Sequence, residues 1–124
     1  MNLVDTCGWL EYIADSVNAA NFEKAILNIE ELIVPTIVIY EVFKKIVNDY
    51  DEDKALMITA HMKLGKVVDF DEATAIYAAK ISSEKKLAMA DSIIYATAER
   101  YGAVVYTQDD HFSKLKNVKY FKKK

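Results

Sequence analysis

The fold is decided by residues 32–50, which read LIVPTIVIYEVFKKIVNDY. The three apolar residues before Pro35 predict a short buried strand, 32–34, because proline ends the run. Pro35 also suits the first turn of a helix, where its missing N–H would have no partner. We therefore expect a helix over residues 36–50, although its β-branched residues Ile37, Val38 and Ile39 also fit a strand. A strand that leads directly into a helix is the repeating unit of an α/β domain.

The same alternation extends over the whole chain. Short β-like runs predict strands at residues 2–4, 32–34, 66–70, 103–106 and 118–121. Helical spacing, capping acids and glycine stops predict helices over 8–14, 18–30, 36–50, 51–66, 71–86 and 90–101, with a short one over 109–115. Helices between strands favour right-handed crossovers, so we expect a layered α/β domain around a mainly parallel sheet.

The composition fits one folded domain. With 124 residues, 52% hydrophobic, only 3 Gly and 1 Pro, the chain is neither disordered nor collagen-like. The single cysteine, Cys7, excludes a disulfide framework and a Cys-rich zinc site, and we interpret it as a small buried hydrophobe. No secretion signal follows Met1, and no apolar run reaches the ~18 residues of a membrane span. We expect a cytoplasmic protein without membrane contact.

Charge is divided unevenly along the chain. The formal net charge is −3, but all 19 acidic residues lie at or before Asp110, while the last twelve residues contain six lysines. Such asymmetry predicts either a nucleic-acid contact or a solvated tail that balances an acidic body. We treat residues 1–124 as one domain with a basic C-terminal tail at 113–124.

Four acidic residues stand in apolar surroundings, whereas the others occur in polar clusters. Asp5 follows the first predicted strand, and Glu41 lies inside the apolar part of the 36–50 helix. Asp91 precedes two isoleucines, and Asp109 follows the fourth strand. An ionised carboxylate in such surroundings loses several kcal/mol of hydration unless a cation or a set of donors compensates. The single arginine, Arg100, cannot balance four acids.

A divalent cation would balance these acids, since Mg²⁺ and Mn²⁺ prefer oxygen ligands. Residues beyond the carboxyl ends of parallel strands face one crevice, where we expect Asp5 and Asp109. Asp91 and Glu41 would reach the same crevice from the beginnings of their helices. Each acid taken alone also fits a helix cap or a hydrogen-bonded structural carboxylate, least so Glu41, because Glu is a poor cap. The prediction of a metal site therefore rests on the four acids taken together.

Hydroxyl groups accompany three of the acids. Thr6, Ser92 and Thr107 each lie within two residues of one of them. These hydroxyls could orient metal ligands or water, and ordinary hydrogen bonding at helix starts explains them equally well. His61 and His111 are far apart in sequence and have no cysteine beside them, so we expect no transition-metal site.

Four segments, in this order, resemble the PIN-domain ribonucleases, and among them the VapC-type toxins of prokaryotic toxin–antitoxin pairs. They are VDT at 4–6 with GWL at 8–10, PTIVIYE at 35–41, MADSII at 89–94 and TQDDHF at 107–112. The resemblance spans nearly the whole chain, from Asn2 to Phe112. It implies a three-layer α/β/α sandwich, a Mg²⁺- or Mn²⁺-dependent ribonuclease, a homodimer and a cognate antitoxin.

Position by position, the resemblance implies that Asp5, Glu41, Asp91 and Asp109 are the catalytic acids. Asp5, Asp91 and Asp109 would hold the metal, and Glu41 would hold water or act as a base. The adjacent Asp110 leaves open which of the two neighbouring acids faces the metal, and the Thr-x-Asp pattern favours Asp109. Metal-activated water would then cleave a phosphodiester bond of RNA.

The basic C-terminal segment adds candidates for RNA binding, because lysines bind phosphates and aromatic rings stack on bases. They are Lys114, Lys116, Lys119 and Lys122, with Tyr120 and Phe121 between them. Two other functions remain open: a catalytically silent PIN-like scaffold that binds protein, and a receiver-like phospho-acceptor module. The helices at 22–29 and 38–47 carry more apolar residues than one buried face needs. This surplus predicts either contact with a second subunit or an antitoxin helix, or full burial.

Overall fold

The computed structural model describes residues 1–124 and has a five-stranded, all-parallel sheet at its centre. The strands are β1 (Asn2–Val4), β2 (Leu32–Pro35), β3 (Lys66–Val68), β4 (Val104–Thr107) and β5 (Val118–Tyr120). Their order across the sheet is β3-β2-β1-β4-β5, so the first strand of the chain lies in the middle. All five predicted strands are present, and the prediction of a mainly parallel α/β sheet is confirmed.

Six helices flank the sheet, consistent with the expected three-layer α/β/α sandwich. They are α1 (Thr6–Ile13), α2 (Ala19–Leu27), α3 (Thr36–Asp49), α4 (Glu52–Met62), α5 (Glu72–Lys85) and α6 (Met89–Arg100). Two begin at the acids that the sequence marks as caps: Asp51 accepts from the Lys54 N–H at 2.7 Å and Asp71 from the Thr74 N–H at 2.8 Å. These bonds satisfy N–H groups that the first helical turn leaves without partners.

Residues 36–49 are helical despite their β-branched side chains. Val38, Val42 and Ile46 follow one another at a spacing of four and are all buried, so they form one apolar face. Packing of that face outweighs the weak local preference of valine and isoleucine for strands. The helix begins directly after Pro35, as predicted.

Three predicted helices are shorter in the structure. α2 ends at Leu27 and a 3₁₀ turn, Ile29–Glu31, follows it, because Asn28 has left the helical backbone region with φ −82° and ψ 69°. α4 ends at Met62, and Gly65 then passes close to β2: a Cβ there would lie 3.0 Å from the Leu32 carbonyl oxygen. After Asp109 only a 3₁₀ turn forms, Asp110–Phe112, in place of the helix expected over 109–115.

The core lies on both faces of the central strands. Leu3, Val4, Ile33 and Val105 have no exposed surface, as expected for strands covered by helices on both sides. Gly8 lets α1 approach its neighbours, because a Cβ at this position would meet a Phe22 ring carbon at 2.6 Å. None of the helices combines the length and the apolar character that crossing a bilayer requires.

The basic segment 113–124 is folded for much of its length and is not a free tail. β5 pairs with β4 as an edge strand, and the Phe121 N–H donates to the Thr107 carbonyl at 2.9 Å. The Phe121 ring packs edge-on against Phe22, with ring centroids 5.4 Å apart. The sheet therefore fixes the backbone as far as Phe121 and carries the adjoining lysines with it.

Candidate functional site

The site lies beyond the carboxyl ends of the two central strands, β1 and β4. Val4 and Tyr106 are partners in the parallel register, and the Asp5 N–H donates to the Tyr106 carbonyl at 3.0 Å. Asp5 therefore leaves β1 beside Thr107, the last residue of β4. Because α1 begins at Thr6, the Asp5 side chain also caps that helix, accepting from the Thr6 N–H at 2.7 Å.

Asp5 is the most deeply placed of the four acids, with 4% of its surface exposed. Its second carboxylate oxygen accepts from the Thr107 hydroxyl at 2.8 Å and from the Cys7 thiol at 3.4 Å. Burial raises the pKa of Asp5 to about 6, since the surrounding protein disfavours a charge. The hydrogen bonds from Thr107 and Cys7 lower this pKa, and the nearby charge of Asp91 raises it further.

Glu41 reaches the same region from the second turn of α3. The Thr6 hydroxyl donates to a Glu41 carboxylate oxygen at 2.6 Å, a contact between residues 35 positions apart. Such a short hydrogen bond to a carboxylate fixes the orientation of the side chain. Glu41 and Asp5 are thus held by neighbouring groups at the start of α1: the Thr6 hydroxyl and the Thr6 N–H.

Asp91 and Asp109 form a tight group with a third side chain, His111. One potential ligand atom from each of these residues lies within 4.8 Å of the others. The Asp91 carboxylate is 17% exposed, and burial raises its pKa, with a further contribution from the charge of Asp109. Glu41 also raises the pKa of Asp91 by its charge, so the other three predicted acids all lie within electrostatic reach of Asp91. Asp5 and Glu41 lie outside the tight group itself.

His111 is the partner that sequence reasoning missed. The His111 Nδ1 lies 3.4 Å from an Asp91 carboxylate oxygen and 3.2 Å from an Asp109 carboxylate oxygen. The backbone N–H of His111 also donates to the Asp109 carboxylate at 2.9 Å. The charge of Asp109, and then that of Asp91, raises the pKa of His111. The position of His111 just after the fourth strand could have indicated that it lies near Asp109. The sequence instead predicted an ordinary helix there, where the structure has a 3₁₀ turn.

The three predicted hydroxyl neighbours divide into two kinds. Thr6 and Thr107 contact acids directly, as described, and the Thr107 oxygen also accepts from the Asp109 N–H at 2.9 Å. Ser92 instead donates to the Met89 carbonyl at 2.7 Å, an ordinary bond within the first turn of α6. Thr107 therefore links the acid after β1 with the acid after β4, whereas Ser92 contacts neither.

Residues 3–118 of the sequence match the PIN domain family. The chain belongs to the PIN domain family. The resemblance seen in the motifs is thereby confirmed, and the match covers every one of the four acids. No curated protein sequence matches the chain.

Solved structures share the fold at low sequence identity. A toxin-antitoxin complex from Klebsiella pneumoniae aligns with a TM-score of 0.83 and 17% identity over 99% of this chain and 100% of that chain. DNA-bound VapBC from Salmonella typhimurium aligns with a TM-score of 0.76 and 18% identity, covering 98% of each chain. VapC20 of Mycobacterium tuberculosis is described as a sarcin-ricin loop cleaving toxin. It aligns with a TM-score of 0.72 and 14% identity, covering 91% of this chain and 93% of that chain.

In this PIN domain, the two adjacent acids after β4 face different surroundings. Asp109 is half-buried and joins Asp91 and His111, whereas Asp110 is exposed and outside that group; both line a cleft that also contains Lys123. Of the pair, Asp109 is the one next to the other acids.

The lysines of the PIN domain's C-terminal segment spread over different surfaces. Lys114 and Lys116 line a groove with α5 and α6, and Lys119 lies over the Tyr106 ring, 5.2 Å from its centroid. The Lys122 carbonyl accepts from the Asn18 amide at 3.2 Å. They do not form one patch beside the acids.

A polar network beneath the site was also absent from the sequence interpretation. The Gln108 amide accepts from Asn18 at 2.9 Å and donates to Glu11 at 3.3 Å. Cys7, expected to be a simple buried hydrophobe, is partly exposed and contacts Asp5 and Thr107. Burial, followed by the Asp5 charge, raises the pKa of the Cys7 thiol to about 12, so the thiol stays protonated and is not a nucleophile.

The donor set of the PIN domain fits a divalent cation. Carboxylate oxygens of Asp91 and Asp109 lie within 4.8 Å of each other, and burial, followed by the charge of Asp109, raises the pKa of Asp91. The only arginine, Arg100, pairs with Asp71 at 2.8 Å and cannot neutralise these acids. Hard oxygen ligands with unbalanced negative charge are what Mg²⁺ and Mn²⁺ bind.

Proposed function

We propose that this PIN domain is a divalent-metal-dependent endoribonuclease and the toxin of a toxin–antitoxin pair. The observation that carries the proposal is the convergence of Asp5, Glu41, Asp91 and Asp109 beyond the carboxyl ends of β1 and β4. The charges of four acids with few cationic partners destabilise the fold unless a cation is bound. Their presence together therefore indicates a functional role.

Asp5, Asp91 and Asp109 are the residues that would hold Mg²⁺ or Mn²⁺, with the His111 imidazole beside them. A bound divalent cation supplies activation of the attacking water and neutralisation of charge on the phosphate. The remaining work falls to the chain's own groups. Thr107 holds Asp5 by its hydroxyl and accepts from the Asp109 N–H, which keeps the two strand-end acids in a fixed relation.

Glu41 is the candidate for handling a proton. Its carboxylate accepts from Thr6 at 2.6 Å, so one oxygen is fixed while the side chain remains partly accessible. A carboxylate held in this way can accept a proton from water that approaches the phosphorus. Thr6 is a positioning residue in this scheme, since it acts only through Glu41.

The toxin assignment is supported by the proteins that share this fold. Two of the aligned structures are described as a toxin–antitoxin complex and as a toxin that cleaves the sarcin-ricin loop. These descriptions support the proposal that RNA is the substrate of this chain and an antitoxin its partner. The proposed cytoplasmic location follows from the same assignment, because RNA is the substrate.

A homodimer is part of the same proposal. Several large apolar side chains on α2, its following turn and α3 are exposed, as the apolar surplus of these helices suggested: Leu27, Ile29, Tyr40 and Val47. Where such side chains form a contiguous surface, they mark an interface with a second subunit or with a partner helix. Size-exclusion chromatography with light scattering tests the dimer, and a monomer at micromolar concentration would contradict it.

RNA cleavage by the purified protein, with and without Mn²⁺, tests the enzymatic function. Wild type should cut RNA only with the cation, and Asp91→Asn should reduce cutting by at least about 100-fold, the range for loss of a metal ligand or its partner. Asp53→Asn, a matched change at an exposed acid on α4, should leave cutting unchanged. Equal cutting by wild type and Asp91→Asn would overturn the catalytic assignment.

A further inference from the structure

A second cleft adjoins the acids on the side of the C-terminal segment. It has a volume of about 380 Å³, within the range of ligand-binding pockets, and is lined by Cys7, Gln108, Asp109, Asp110, Tyr120 and Lys123. Two of its lining residues belong also to the acid site: Asp109 faces Asp91, and Cys7 contacts Asp5. A molecule in this cleft would therefore lie directly beside the group that the acids act on.

The floor of the cleft is preformed. Gln108 is 7% exposed, and both ends of its amide are engaged, by Asn18 at 2.9 Å and by Glu11 at 3.3 Å. Asn18 in turn donates to the Lys122 carbonyl at 3.2 Å, which ties the end of the chain to the loop before α2. These bonds span about 100 positions of sequence, so the walls are fixed by the whole fold.

The walls of the cleft combine an aromatic ring and an ammonium group. Tyr120 is the last residue of β5 and pairs in register with Thr107, so its ring stands at the sheet edge next to the acids. Phe121, the next residue, packs away from the cleft against Phe22. The Tyr120 ring does not take part in that packing, lines the cleft and can contact a ligand. Lys123 lines the same cleft.

We propose that this cleft binds one nucleotide of single-stranded RNA adjacent to the bond that is cut. The proposal rests on the nuclease function and deepens it by naming the site of the neighbouring nucleotide. The Tyr120 ring stacks on the base, and the Lys123 ammonium neutralises its phosphate. An aromatic face accepts any base, whereas a paired base cannot reach it, so the cleft selects unpaired RNA.

The other basic groove does not have these features. The groove lined by Lys114 and Lys116 is larger, about 490 Å³, but it contains no residue of the acid site. Its lining has four lysines and two glutamates, so charge alone would favour this groove, and only the absence of the acids of the site argues against it. RNA in that groove would not be positioned for cleavage.

Steady-state cleavage of a short unpaired oligoribonucleotide tests the subsite. Tyr120→Leu should raise KM about 10-fold with kcat within about twofold, the loss expected for one base–aromatic stack. Tyr120→Phe should restore the wild-type KM, because it keeps the ring. Lys123→Gln should reduce the slope of log KM against log salt by about 0.7, the value for one phosphate contact on a single strand.

Matched controls use an exposed tyrosine and an exposed lysine elsewhere. Tyr50→Leu at the end of α3 and Lys63→Gln after α4 should leave KM and the salt slope unchanged. A fluorescent tetranucleotide binding to Asp91→Asn separates binding from cleavage, and adding Tyr120→Leu should weaken that binding about 10-fold.

The two proposals fail in different ways. If wild type cleaves RNA and both Tyr120→Leu and Lys123→Gln keep the wild-type KM, the subsite is overturned and the nuclease stands. If wild type does not cleave RNA but Tyr120→Leu weakens tetranucleotide binding, the nuclease is overturned and the nucleotide cleft stands.

Discussion

Replacement of Asp5 by Asn should stabilise the metal-free protein while abolishing its activity. Burial raises the pKa of Asp5 from 3.8 to about 6, so the folded protein opposes the negative charge that this residue carries at neutral pH. A difference of about two pH units corresponds to about 3 kcal/mol. The neutral Asn side chain removes that penalty.

The sign of the pH dependence follows from the direction of the pKa change. Because the folded-state pKa of Asp5 is raised, folding is favoured by protonation, and the associated stability is fully present below about pH 4. It is lost as the pH rises from about 4 to about 6. Asp5→Asn should therefore be more stable than wild type by up to about 3 kcal/mol at pH 7, and by little at pH 4.

The hydrogen bonds around Asp5 can adapt to the amide. Its oxygen can still accept from the Thr6 N–H, and its nitrogen can donate to the Thr107 hydroxyl oxygen. The Thr107 hydroxyl proton is then free to turn toward the Cys7 sulfur, 3.4 Å away. Of the groups around Asp5, only the weakly donating Cys7 thiol loses its acceptor, so the usual destabilisation by an unpartnered buried polar group should be small.

Urea unfolding in the presence of a chelator, from pH 4 to pH 8, measures this effect. The exposed Asp53→Asn change should alter stability by no more than about 0.5 kcal/mol at any pH. An Asp5→Asn protein that is no more stable than wild type at pH 7 would refute the reasoning, as would an advantage that does not shrink toward pH 4. Stability gained by losing a functional acid is the expected trade-off at an active site.

Three further predictions concern positioning, packing and cation binding. Thr6→Val removes the hydroxyl that holds Glu41, and we expect kcat for RNA to fall about 10-fold or more, in the range seen for groups that orient catalytic residues. Gly8→Ala places a Cβ 2.6 Å from the Phe22 ring and should destabilise the fold by about 1–3 kcal/mol in urea unfolding. Saturating Mn²⁺ should stabilise wild type by about 2.7 kcal/mol at 100 times its Kd, and Asp109→Asn should lose most of this gain.

The positioning and cation-binding predictions each have a result that would contradict them. Thr59→Val removes a hydroxyl that bonds only to the Ala55 carbonyl within α4, so it should leave kcat unchanged. Loss of unfolding stability without loss of kcat in Thr6→Val would show that Thr6 is only structural. Equal thermal stabilisation of wild type and Asp109→Asn by Mn²⁺ would place the cation elsewhere.

The architecture was predictable because its signals are local. Pro35 separates β2 from α3, and Asp51 and Asp71 begin their helices where the sequence indicates. The four acids also stand out locally, since Glu41 and Asp91 interrupt apolar stretches and Asp5 and Asp109 follow predicted strands. The prediction of where helices end was less accurate, because α2 stops at the non-helical backbone of Asn28 and α4 stops before Gly65 passes close to β2.

The finer structure of the site depends on contacts between distant residues. His111 joins Asp91 only because the turn after β4 is a tight 3₁₀ turn, and Gln108 meets Asn18 across 90 positions. The spacing of residues along the sequence does not predict such long-range contacts. The division of the C-terminal lysines among separate surfaces likewise depends on the pairing of β5 with β4, since Lys114 and Lys116 precede that edge strand, Lys119 lies in it and Lys122 follows it.

The central place of β1 determines when the site can exist during translation. Residues 2–4 leave the ribosome first, yet one edge of this strand has no partner until residues 104–107 have been synthesised. At ordinary elongation speed, roughly 5–20 s separate the two events. A nascent or prematurely terminated chain contains Asp5 and Asp91 but neither Asp109 nor the strand that holds it, so the proposed nuclease is inert until its own synthesis is almost finished.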